Sequence, residues 1–195
     1  METLPDYLAP GLRLLSIGLN PSLPSVAAGF YFANPRNRFW SALNASRLVS
    51  EALVPGAAAV QALFEAQRIG FTDLVKRATR GGSALRQADF RPGAERLQRL
   101  LENFQPDIAW FHGKVAYKQF VRHAGVVHDS DEWGLQAVRI GATRCFVTPN
   151  PSPANAVFSL QDLVGWYNRL ADQLKVEEGS AGAAHAASGV VGNVK

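Results

Sequence analysis

Apolar residues recur along this chain in two rhythms. Short apolar runs at Leu12–Ile17, Ile69–Val75, Ile108–Phe111 and Arg144–Thr148 read as buried strands. Between them lie segments with helical spacing. A helix is expected from Asn37 to Leu48 and an Ala- and Leu-rich one over residues 57–67. Pro92 is expected to open a third helix, with Ala94, Leu97, Leu100, Leu101 and Phe104 on its apolar face. A fourth covers residues 114–124. The last begins at Ser159, where Asp162 completes a capping box, and carries Leu160, Leu163, Val164, Tyr167, Leu170 and Leu174 on one face. Val138–Cys145 reads as a hairpin into the last core strand, and residues 20–36 as a long Gly- and Pro-bearing loop. Strands alternating with helices predict an α/β fold. We expect a single domain over residues 1–178, its central, mainly parallel β-sheet covered by helices on both faces. Residues 179–195 are Gly- and Ala-rich without apolar period and are expected to be a disordered C-terminal tail, in which His185 is incidental.

In an open α/β sheet, ligands bind beyond the carboxyl ends of the strands. Two such ends carry similar turns, Gly18-Leu19-Asn20-Pro21-Ser22 and Pro149-Asn150-Pro151-Ser152, which could face one another across one cleft. Two more strand ends offer Asp73 and His112 with Lys114, and the first loop adds Phe30, Tyr31 and Phe32. An Asn can orient a water through its carbonyl or read the edge of a base, but it is a poor proton acceptor. An aromatic in the same loop gives a face on which a planar ligand can stack. Asp73 could act as a true base or as an electrostatic partner for developing positive charge. The set suits hydrolysis of an N-glycosidic bond, where the sugar gains oxocarbenium character and the base leaves as a stabilised anion. Each Asn-Pro pair alone is also a common turn former.

Composition narrows the classes. The chain has 195 residues, enough for one substantial core, and no apolar run of membrane-spanning length. Its N-terminus lacks the pattern of a signal peptide, so the expected location is cytoplasmic. One cysteine, Cys145, excludes an internal disulfide and any multi-cysteine metal or iron–sulfur site, and its apolar run makes it a small core residue. No phosphate-loop, dinucleotide or nucleophile-elbow motif is present. The histidines, His112, His123, His128 and His185, lack metal-ligand spacing, and no cofactor is expected. Net charge is +4, and Arg36, Arg38, Lys76, Arg77, Arg80, Arg86 and Arg91 fall in or near loops, where they could follow a phosphate backbone or simply be solvated.

Several motifs occur together and in order: Leu8-Ala9-Pro10-Gly11-Leu12-Arg13, Gly18-Leu19-Asn20-Pro21, Gly29–Trp40, Gly70-Phe71-Thr72-Asp73-Leu74-Val75, Gln105-Pro106, Gly113-Lys114 with Ala116-Tyr117, and Pro149-Asn150-Pro151-Ser152. Together, over residues 8–175, they resemble the mismatch-specific uracil/thymine-DNA glycosylases of the uracil-DNA glycosylase superfamily. The resemblance implies a uracil-DNA glycosylase-like fold and a monofunctional base-excision enzyme. Such an enzyme flips uracil, thymine or another damaged pyrimidine from mismatched duplex DNA and hydrolyses its N-glycosidic bond, leaving an abasic site. It implies double-stranded DNA as partner and with it a nucleoid-associated location, no metal and no cofactor; a monomer is the expected state. Asn20 matches the Asn that positions the attacking water and Phe32 the aromatic that stacks on the flipped base. Backbone groups near Leu19 and Phe32 would bond the pyrimidine edge, and Ser25 matches a pocket serine. Asn150, Pro151 and Ser152 match the second motif, which lies along the DNA backbone and leads into an intercalating loop, here Pro153, Ala154 and Asn155. Lys76, Arg77 and Lys114 are candidate phosphate contacts.

Two departures stand out. Asp73 stands where relatives carry Lys or Asn, and a carboxylate beside the water would be a stronger base than Asn20. Asp89 is a weaker acidic candidate whose local role is helix capping. The intercalating loop carries Ala where relatives carry a bulky Leu or Arg, which predicts weak discrimination of the opposite base, although Asn155 could still bond a base edge. The competing readings are a low-turnover DNA damage-binding protein of the same fold and a small-molecule nucleoside hydrolase or nucleotide-binding α/β protein.

Overall fold

The computed structural model describes residues 3–126 and 131–187, and the side chains only as far as residue 175. His128 therefore lies outside the described residues, as do residues 188–195 of the expected tail. A five-stranded sheet forms the centre, in the order β2-β1-β3-β5-β4. Its strands are β1 (Leu14–Gly18), β2 (Ile69–Asp73), β3 (Ile108–His112), β4 (Gly134–Ile140) and β5 (Thr143–Thr148). β2, β1, β3 and β5 are parallel, and β4 adds antiparallel to β5 as the hairpin expected from the sequence. Every residue of the four parallel strands is buried, as strands covered on both faces must be.

Successive side chains point to opposite faces. Leu14, Phe71, Trp110 and Phe146 join one core with α2 (Phe39–Asn44), α3 (Ala57–Gln67) and α6 (Leu160–Ala187). Leu15, Ile17, Ala109, Phe111, Cys145 and Val147 join a second core with α4 (Gln87–Phe104) and α5 (Lys114–His123). The expected mainly parallel sheet with helices on both faces is what the chain forms. Among the described residues no helix is long and apolar enough to cross a membrane.

The helix boundaries differ most in four places. The loop over residues 20–36 contains α1 (Leu23–Ala28), capped by Ser22, whose Oγ accepts from Ser25 N at 3.2 Å, and closed by Gly29 at φ 75°. α2 ends at Asn44 rather than Leu48, because the Asn44 amide bridges to both backbone groups of Leu53. α4 begins at Gln87, with Pro92 inside its second turn. Its start is set by Asp89, whose Oδ2 accepts from Arg86 N at 2.7 Å, so Pro92 removes one intrahelical bond but does not define the end. α6 continues to Ala187, into residues expected to be disordered. The extension is Ala-rich, and it propagates from a segment already ordered by the burial of Leu163, Tyr167 and Leu170.

Candidate active site

Strands β1 and β3 lie side by side but lead to opposite flanks of the sheet, so their carboxyl ends open a crevice at the switch point. A cavity of about 280 Å³ sits there. It is lined by Asn20 beyond β1, Asp73 at the end of β2, His112 at the end of β3 and Asn150 beyond β5. Four strand ends singled out in the sequence thus meet in one site. Leu19, Ser25, Phe32, Ser152, Pro153 and Ala154 line it as well; Pro151 and Asn155 do not.

Asn20 is held from behind. Its Nδ2 donates to Thr79 Oγ1 at 2.7 Å, to Arg77 O at 3.0 Å and to Pro21 O at 3.2 Å. Backbone carbonyls can only accept, so the NH2 must face them, and the orientation of the amide is fixed by chemistry. Oδ1 takes no partner among the described residues and remains a free acceptor. Thr79 reaches this position because the chain after β2 turns back beside the first loop, with Thr79 N bonded to Pro21 O and Leu23 N to Thr79 O. Thr79 lies far from Asn20 in sequence and carries no local signal of this role.

Asp73 pairs with Gly18 in the parallel register of β1 and β2. A Cβ added at Gly18 would lie 2.3 Å from Asp73 Oδ1, so the carboxylate crosses the end of β1 in space that only glycine leaves. Asp73 is 3% exposed and its Oδ2 has no hydrogen-bond partner among the described residues. Burial pushes its carboxyl up to about 7; Lys76 and Arg96 pull it down and Asp6 adds to the rise. It is therefore poised to exchange a proton near neutrality, as a general base requires.

The aromatic wall is built by Ser25 and Phe32. Ser25 Oγ accepts from Ala33 N at 3.2 Å, and its carbonyl accepts from Gly29 N and Phe30 N. This pins the turn in which Phe32 adopts φ 59°, a left-handed conformation uncommon for a bulky residue and a form of strain found at functional sites. One face of the Phe32 ring stacks on Phe39 at 4.0 Å, and its edge region meets His112 at 5.0 Å. His112 is buried, with Nε2 2.8 Å from Ser16 Oγ, and burial holds its imidazole down to about 3, so it is neutral. Tyr31 closes the floor, its phenol bonded to Pro5 O at 3.0 Å and kept protonated by burial and by Asp73.

The second turn is organised differently. Asn150 Oδ1 accepts from Ser152 N at 2.9 Å, and Asn155 Nδ2 donates to Asn150 O at 2.9 Å. The Asn155 amide is thus turned into its own loop rather than toward the cavity. Arg38 gathers the loop's carbonyls: Nη2 donates to Asn155 O at 2.7 Å and Ser152 O at 3.0 Å, Nη1 to Phe158 O, and Nε to Pro151 O at 3.4 Å. Arg38, which the sequence offers as a loop-borne phosphate contact, shapes the loop.

The three candidate phosphate contacts are likewise engaged. Lys76 Nζ bonds Asp6 Oδ1 at 2.7 Å and Leu4 O at 2.6 Å. Arg77 forms an ion pair with Asp89 at 2.6 Å and bonds Ala84 O. Lys114 pairs with Asp131 at 3.2 Å and lies over the Trp133 ring. None of these lines the cavity, whereas the exposed Arg36 and Arg80 do. Both were in the sequence as loop cations, but only the tertiary structure separates them from their neighbours. Asp89 caps α4 and carries no side of the cavity.

Residues 5–171 match the family model of the uracil DNA glycosylase superfamily. Among solved structures, the chain is similar to a Methanosarcina acetivorans protein determined in solution by NMR and provisionally assigned as a uracil DNA glycosylase. The TM-score is 0.57 at 22% identity, over 87% of this chain and 97% of that one. At that identity the likeness establishes the fold.

Proposed function

The chain belongs to the uracil DNA glycosylase superfamily, whose members hydrolyse N-glycosidic bonds in DNA, and on that premise we propose a monofunctional enzyme that removes uracil from mismatched duplex DNA. The observation that carries this reading is the free Oδ1 of Asn20 in the same cavity as the buried, unbonded carboxylate of Asp73.

A flipped pyrimidine enters the cavity against Phe32. The carbonyl of Leu19 already accepts from Val75 N at 3.0 Å, so its N–H is the group Leu19 can offer to the base. Asn20 Oδ1 orients a water toward C1′. As the C1′–N1 bond breaks, its electron pair goes to the base, which leaves as an anion. The water oxygen bonds to C1′ and its proton passes to Asp73. Ionised Asp73 also faces the positive charge that develops on the sugar. A carboxylate base reduces dependence on the quality of the leaving group, so thymine and other damaged pyrimidines fall within the proposed range. Lesions that weaken pairing are extruded at least cost. Arg36 and Arg80, at the rim, are the cations best placed for the flanking phosphates. The reaction as proposed needs no second subunit.

The test is a panel of single- and double-stranded oligonucleotides bearing uracil, thymine or another lesion, treated with alkali after exposure to the protein. Strand cleavage at uracil, lost in Asn20→Ala and reduced in Asp73→Asn, is the expected result. Tight binding to the lesion without cleavage would mark a damage-binding protein. Release of base from free deoxyuridine but not from DNA would mark a nucleoside hydrolase.

A further inference from the structure

Behind Asp73 lies a cluster of charges, Asp6, Lys76 and Arg96, none of which lines the cavity itself. Asp6, in the N-terminal segment, accepts from Lys76 Nζ at 2.7 Å and Thr72 Oγ1 at 2.7 Å through Oδ1, and from Arg96 Nη1 at 2.8 Å through Oδ2. Arg96, on α4, also donates through Nη2 to the backbone carbonyl of Asp73 and to Thr72 Oγ1 at 3.3 Å. The side chains of Asp6, Lys76 and Arg96 are each about three-quarters buried. The N-terminal segment is further tied down by Thr3 Oγ1 to Lys76 O at 2.7 Å and by the bridge of Tyr7 to Phe71.

The pattern of contacts is informative. A structural ion pair would place a cation on the Asp73 carboxylate. Here both cations hold Asp6, and one also holds the Asp73 main chain, while Asp73 Oδ2 is left unbonded. We infer that Asp6, Lys76 and Arg96 are positioning residues that fix the Asp73 carboxylate across Gly18 and govern how readily it carries charge. The inference rests on the reading of Asp73 as the group that takes the water's proton. When Asp73 is ionised, two carboxylates balance two cations; when it is protonated, the cluster carries one excess positive charge. Lys76 and Arg96 therefore favour ionised Asp73 and Asp6 disfavours it, the directions in which each acts on a carboxyl that burial has raised. Among the described residues, the other titratable groups that line the cavity with Asp73 are Tyr31 and His112, both buried and neutral, and the exposed Arg36 and Arg80.

The signs give the test. Removing either cation should raise the midpoint of the acidic limb of kcat/KM against pH, and removing the anion should lower it, each by about one pH unit. The variants are Lys76→Met, Arg96→Met and Asp6→Asn in the full chain, assayed on a uracil-containing duplex. Lys76→Arg should restore the original midpoint. Opposite shifts cannot come from a merely structural role, which would lower the rate at every pH or move all the variants together. Either of those outcomes overturns the inference. Lys76 and Asp6 lie outside the helices and suffice for the test if Arg96→Met does not fold. Carbon-13 titration of the Asp73 carboxyl in the same proteins without DNA reads the cluster independently of catalysis. If that titration shifts as expected while Asp73→Asn retains full activity, the catalytic reading of Asp73 fails and the electrostatic role of the cluster stands.

Discussion

The two Asn-Pro turns look alike in sequence, yet they commit opposite ends of the same amide. Asn20 uses its NH2 on Thr79, Arg77 and Pro21 and leaves its carbonyl oxygen free. Asn150 uses its carbonyl oxygen on Ser152 N and leaves its NH2 without a partner among the described residues. A free oxygen accepts a hydrogen bond from a water and orients it, whereas a free NH2 only donates, as to a phosphate or a base carbonyl. The first turn also borrows its anchors from a distant loop, while the second is closed by its own residues and by Arg38. On the proposed reading, one side of the cleft handles the water and the other holds nucleic acid.

The sharpest break of this comparison is a matched pair of substitutions. Asn20→Ala removes the water's acceptor and should slow single-turnover cleavage about a thousandfold with little change in DNA affinity. Asn150→Ala should weaken DNA binding and leave the rate of the bound complex within a few-fold. Equal losses in both parameters for both variants would erase the division of labour. Gly18→Ala comes next. The added methyl would displace the Asp73 carboxylate by an ångström or more, and about a hundredfold of rate should go with it. An unchanged rate would show that Asp73 need not lie across β1.

The division also explains what the sequence could and could not reveal. The strands were legible because they are buried on both faces and read as continuous apolar runs, as at Leu14–Ile17 and Ile108–Phe111. Asn20, Asp73 and Asn150 stood at their ends, where α/β sheets place ligands, so their convergence in one cavity followed from topology. The loop residues divide otherwise. Arg38, Lys76, Arg77 and Lys114 look the same in sequence as Arg36 and Arg80. Only long-range partners, Phe158, Asp6, Asp89 and Asp131, decide which cations are committed to the fold. Asp6 and Arg96 lie in unremarkable contexts near the N-terminus and on α4, and nothing local links them to Asp73. α1 carries its start and stop signals in Ser22, Pro24 and Gly29, but so short a segment has no apolar period to mark it as a helix.

Arg38 allows the second side of the cleft to be loosened without touching the first. Arg38→Met strips the donors from the carbonyls of Pro151, Ser152, Asn155 and Phe158. We expect about 1–3 kcal/mol of lost stability in denaturant unfolding. DNA affinity should drop several-fold, and the cleavage rate at saturating enzyme should change less. A rate loss approaching that of Asn20→Ala would mean that the second turn also positions the water.

The smallest effect concerns the base opposite the lesion. The tip of the second loop presents Pro153 and Ala154 to the cavity, and the Asn155 amide is turned back onto Asn150. A methyl group fills little of the gap left by a flipped nucleotide and offers no donor or acceptor to the orphaned base. Discrimination between G·U and A·U would then come only from the cost of breaking the pair, which is lower for the mismatch. Single-turnover rates on the two duplexes at saturating enzyme should therefore agree within a few-fold, and Ala154→Arg should widen the gap in favour of G·U by supplying the missing contact. A large G·U preference in the unmodified protein would show that this loop reads the opposite strand, by releasing Asn155 from Asn150. The contrast between a chemical side and a holding side of the cleft would then need a third function on the second turn.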